Sequence, residues 1–117
     1  MKAIEILNQA ALEQKSRAIH YDAPQGERSM AKTVGMFNLL HGTQLTEVQG
    51  WQFMEILKMV RSAQGALRAD NFIDGASYAS LAGEAACAAA AQEPSVESQP
   101  TKPTKPARKP AAKRSRK

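Results

Sequence analysis

The chain has 117 residues, 43% hydrophobic but only 5% aromatic, with a formal net charge of +5 and one cysteine. That length holds a single domain, and larger apolar residues that are mainly Leu, Ile and Met favour packed helices over a β-sandwich. Cys87 alone excludes an intrachain disulfide and a thiolate metal cluster, and no apolar run approaches the roughly 18 residues of a membrane-spanning helix.

Residues 2–18 have the spacing of a helix, with Ile4, Leu7, Ala11 and Leu12 expected inward and Glu5, Gln9, Glu13 and Lys15 outward. Glu5, so soon after Met1-Lys2, is unlike a secretory leader, so the chain is expected in the cytoplasm. The stretch from Ala18 to Glu27 contains Pro24 and Gly26 and is expected to be a loop. A second helix should begin near Arg28 or Ser29, carry Met30, Val34, Phe37 and Leu40 inward, and stop at Gly42.

Thr46-Glu-Val-Gln49 is a capping box, in which hydroxyl and amide side chains satisfy each other's backbone donors. It should open a central helix running to about Gly65. That helix is apolar over most of its circumference, with Gln52, Glu55, Lys58 and Ser62 as its polar stripe. Asp70 is a suitable N-cap for a last helix with Phe72, Ile73, Ala76, Ala79 and Leu81 inward, fraying through the Ala-rich stretch from Ala85 to Ala91. The expectation is an all-α bundle of about four helices in residues 1–92, followed by a disordered basic tail over residues 93–117.

Charge divides the same way. Residues 1–92 hold eight Lys/Arg against nine Asp/Glu, a balance of −1; residues 93–117 hold eight against two, a balance of +6. All the basic character therefore belongs to the tail. Prolines 94, 100, 103, 106 and 110 prevent a helix there. Lys102, Lys105, Arg108, Lys109, Lys113, Arg114, Arg116 and Lys117 can meet successive phosphates of a duplex and release counterions. With no aromatic interleaved to stack on bases, any nucleic-acid contact should be non-specific and salt-sensitive. The bland alternative is a solubilising appendage.

Within the folded part, Glu55, Lys58 and Arg61 follow one another at i, i+3 on the central helix. Asp70 and Asp74 lie one turn apart on the last, with Tyr78 a turn further. An antiparallel hairpin of the two helices would bring Lys58 and Arg61 near Asp70 and Asp74. Asp70, Asp74 and Glu55 are then candidate Mg²⁺ ligands, and Lys58 and Arg61 candidate phosphate binders. The structural alternative makes Asp70 a cap, Asp74 a favourable first-turn charge and Arg61 its ion-pair partner. His20 and His41 stand apart from the clusters that zinc requires, and there is no glycine-rich phosphate loop or Cys/His nucleophile pair.

The string Tyr21-Asp-Ala-Pro-Gln-Gly-Glu-Arg-Ser-Met30, with Val34-Gly-Met-Phe-Asn38, Gly50-Trp-Gln-Phe-Met54, Leu57-Lys58, Arg61 and Asp70-x-x-x-Asp74-x-x-x-Tyr78, resembles a family of uncharacterised small all-α proteins of tailed phages and prophages. The resemblance covers about residues 15–86 and implies a context, the cytoplasm of an infected host, rather than an activity. More distantly, the helix order resembles MazG-like nucleotide pyrophosphohydrolases, in which carboxylates from two helices hold Mg²⁺ against a triphosphate. Asp70 and Asp74 match the second carboxylate pair of that family. The first pair, E-x-x-E, has no counterpart, because Glu47 and Glu55 lie two turns apart.

The expected function is that of a phage-type accessory protein acting on nucleotides or nucleic acid. The alternatives are a Mg²⁺-dependent nucleoside triphosphate pyrophosphohydrolase and an inhibitor that binds a host protein. No cofactor is required outside the hydrolase alternative, and self-association is expected because the central helix is apolar on more sides than a small monomer covers.

Overall fold

The computed structural model describes residues 1–21 and 29–92. They form four helices: α1 (Ala3–Tyr21), α2 (Ser29–His41), α3 (Glu47–Ser62) and α4 (Ala69–Gln92), with no strand among the described residues. α1 runs through residues 18–21, the first part of the expected loop, so that stretch is helical; residues 22–27 of the loop, Arg28 and the basic tail lie outside the described residues.

Helix boundaries follow local chemistry. Asn38 fixes the turn between α2 and α3: its amide donates to the Leu45 carbonyl (2.9 Å), and its Oδ1 accepts from the Thr43 hydroxyl (2.7 Å) and the Leu45 N–H (2.9 Å). Gly42, at φ 67°, supplies the left-handed residue that ends α2. The expected capping box opens α3. The Gln49 N–H donates to Thr46 Oγ1 (3.1 Å) and the Thr46 N–H to Gln49 Oε1 (3.0 Å). α3 ends at Ser62, short of the expected Gly65, which instead turns the chain at φ 69°. α4 starts at Ala69, so Asp70 sits in its first turn rather than at the cap. It does not fray at Ala85. That residue is buried and the helix continues to Gln92, as alanine's high helix propensity allows.

α3 and α4 form an antiparallel hairpin; α1 packs on α4 alone and α2 on α3 alone. The core joins Met30 and Val34 of α2, Trp51 of α3, and Leu81, Ala82 and Ala85 of α4. Trp51 stacks on Tyr78, with ring centroids 5.8 Å apart. Gly50 lets α2 approach closely, since a Cβ there would lie 2.5 Å from Met30 Sδ and 2.7 Å from Val34 Cγ1.

Two faces run opposite to the sequence expectation. On α1 the residue buried is Ala10, while Ile4, Leu7, Ala11 and Leu12 are exposed. The α4 surface it meets presents Ser77, Ser80 and Asp74, which demand polar partners: Gln14 donates to Ser77 Oγ (2.9 Å) and Ser80 Oγ (2.8 Å), and Arg17 pairs with Asp74. On α3, Glu55 and Lys58 of the expected outer stripe are half-buried on the α4 side, while Phe53, Ile56, Met59 and Val60 face outward. Phe37, Leu40, Phe72 and Ala79, expected inside, are likewise exposed.

Candidate phosphate-binding cleft

The hairpin geometry determines which charges meet. Counting back along α3 while counting forward along α4 sets Lys58 opposite Asp74. Gly75 carries no side chain where Lys58 lies across α4; its Cβ position is an ordinary 3.9 Å from Lys58 Cβ. Lys58 Nζ reaches Asp74 Oδ2 at 2.9 Å, with the two side chains only 13% and 17% exposed. The other carboxylate oxygen, Oδ1, faces Arg17 Nη2 from α1 at 3.7 Å, and the same guanidinium nitrogen lies 3.8 Å from Glu13 Oε1. Asp74 thus joins three helices through two cations. At this depth each charge depends on its partner, because an isolated ion shielded from water is costly.

Beside this junction, where α3 ends and α4 begins, an open cleft of about 410 Å³ is lined by Lys58, Arg61, Gln64, Arg68, Asp70, Asn71 and Asp74. Arg61, Arg68 and Asp70 are exposed, and among the described residues none of them forms an ion pair. The first turn of α4 brings the positive end of the helix dipole to the cleft and adds to the field of the cations, although its Asn71 N–H is already donated to the Arg68 carbonyl (3.1 Å). A second depression, of about 270 Å³, adjoins the cleft through Lys58 and Asn71 and has a more apolar lining that includes Met59, Phe72, Ala76 and Ala79.

Of the candidate residues, Lys58, Arg61, Asp70 and Asp74 therefore line one cleft, whereas Glu55 opens onto the second depression. Arg61 is not the partner of Asp74; Lys58 and Arg17 are. Mg²⁺ fits the described residues poorly. Among them no three His, Cys, Asp or Glu side chains converge on a point, and both oxygens of Asp74 already face cations. The eight cations of the tail lie outside the described residues.

Sequence reasoning missed Arg17, Gln64, Arg68 and Asn71. Arg17 carries no local signal, because its role depends on α1 docking polar-side-down on α4. Arg68 had one available: a cation one residue before a helix opens onto that helix's N-terminus.

The family model of a domain of unknown function, DUF6378, matches residues 5–86, and the chain belongs to that family. No curated protein and no solved structure matches the chain.

Proposed function

We propose that this member of the DUF6378 family is a phage-type accessory protein of the host cytoplasm that binds a nucleotide, holding its phosphates in the cleft at the α3–α4 turn. The observation that carries the proposal is the convergence of Lys58, Arg61 and Arg68 on one cleft at the start of a helix. The guanidinium forks of Arg61 and Arg68 suit phosphate oxygens, and among the described residues neither pairs with a carboxylate. The adjoining depression, with Phe72 and Met59 in its lining, suits the flat apolar face of a base. The basic tail then adds non-specific contact with nucleic acid, through cations at successive phosphates.

The MazG-like alternative would turn the same cleft into a hydrolase. Against it, the pairing of Asp74 with Lys58 and Arg17 favours binding without turnover. The test uses the full chain with a panel of nucleoside and deoxynucleoside triphosphates, in Mg²⁺ or Mn²⁺, with release of phosphate or pyrophosphate as the readout. The expected outcome is retention of intact nucleotide. Turnover that Asp74→Asn abolishes at unchanged helicity would instead establish the hydrolase.

A further inference from the structure

The depression beside the phosphate cleft carries polar side chains of two kinds. Lys58 and Ser62 are already engaged, Lys58 by Asp74 and the Ser62 hydroxyl by the Met59 carbonyl (2.7 Å). Asn71 and Glu55 have no side-chain hydrogen bond or ion pair among the described residues. Asn71 is only 9% exposed, and it lines both the cleft and the depression, so it stands where the two join. A shielded carboxamide with no partner is destabilising in the free protein, and at the mouth of a cavity its donors and acceptor are offered to whatever enters. Glu55 is half-buried on the α4 side of α3, and the nearest cation along its own helix, Lys58, is held by Asp74.

The remainder of the lining is flat and apolar. Gly75, Ala76 and Ala79 contribute little or no side chain, and Met59 and Phe72 supply apolar surface. At about 270 Å³ the depression lies just below the roughly 300–1,000 Å³ of drug-sized pockets, which suits a single ring system rather than a whole nucleotide. On the reading that phosphates occupy the adjoining cleft, the sugar crosses Asn71 and the base lies in the depression within reach of Glu55. A carboxylate only accepts hydrogen bonds, and it binds most strongly two donors side by side. Adenine and cytosine place an acceptor nitrogen beside their amino group, and uracil and thymine flank their one N–H with carbonyls. Guanine alone among the common bases presents two adjacent donors, N1–H and the 2-amino group.

We propose that the depression is a guanine site, in which Glu55 accepts from N1–H and the 2-amino group while the Asn71 carboxamide holds the sugar between base and phosphates. Calorimetric titration of the full chain should show GTP binding at least about tenfold more tightly than ATP, CTP or UTP, with inosine triphosphate, which keeps N1–H but lacks the 2-amino group, in between. Glu55→Gln should abolish that preference at unchanged melting and strengthen binding of xanthosine triphosphate, whose 2-carbonyl accepts from the new amide. Asn71→Ala should weaken all the triphosphates alike without lowering the melting temperature, because the side chain it removes has no partner in the free protein; a lower melting temperature at unchanged affinity would make Asn71 structural and overturn its part. Equal affinity for the four common triphosphates, saturable and lost in the Arg61→Gln, Arg68→Gln double variant, would overturn the guanine site and leave the phosphate site standing. An unchanged preference in Glu55→Gln would overturn it too, and no binding of any triphosphate would overturn both.

Discussion

Asp74 is the side chain on which three helices meet, and its environment determines what replacing it would do. Asp74→Ala leaves Lys58 half-buried without its partner and removes the contact that draws Arg17 onto α4. The expected loss is about 1–3 kcal/mol in a urea titration, from the cost of stranding a shielded charge. Arg61→Gln, at an exposed side chain with no ion pair among the described residues, should change stability by less than about 0.5 kcal/mol. If the two variants melted alike, the ion junction would not be structural. The i, i+3 and i, i+4 spacings made Lys58 and Asp74 legible as neighbours, given the hairpin. They could not show that Arg17 competes for the same carboxylate, because that contact joins residues 57 positions apart and depends on a docking angle that local pattern does not encode.

At the scale of elements, caps and turns were the legible part. The hydrogen bonds of the Thr46 capping box are local, so sequence alone specifies them; Thr46→Ala should cost about 1 kcal/mol in the same titration. Gly50 separates two opposed effects. Alanine would raise helix propensity by about 1 kcal/mol on a free surface, but here its Cβ would strike Met30 and Val34. Gly50→Ala should therefore destabilise by about 1–3 kcal/mol, as overpacking does; a rise in stability would mean that α2 is not docked as described. The faces of α1 and α3 were misread for a common physical reason. Periodicity locates an apolar stripe but not what covers it, and the natural assumption is the chain's own core. In α1 the polar edge faces α4 because Ser77, Ser80 and Asp74 need hydrogen-bond and charge partners, and the apolar stripe is left outside.

For the whole molecule, helical content, four elements and their approximate bounds follow from residue type and spacing, whereas the open arrangement, with α1 and α2 on opposite helices of the hairpin, does not. The paired-helix layout puts the cationic cleft at one end of the α3–α4 hairpin and leaves Phe53, Ile56 and Val60 of α3 exposed. The charge division along the sequence adds a further expectation. Removing residues 93–117 should abolish the salt-sensitive retention of the chain on duplex DNA while leaving nucleotide affinity unchanged, since the tail cations act through phosphate counterion release rather than through the cleft. Equal DNA retention with and without the tail, measured by gel shift across a salt series, would assign that contact to the folded part instead.

The most direct test of the central claim is calorimetric titration of the full chain with a nucleoside triphosphate, repeated with the Arg61→Gln, Arg68→Gln double variant. The expected result is saturable binding at one nucleotide per chain, weakened at least about tenfold, or 1.4 kcal/mol, in a variant whose melting is unchanged, with the unphosphorylated nucleoside binding far more weakly. Equal affinity of the two proteins, or no binding by either, would contradict a phosphate site at the α3–α4 turn.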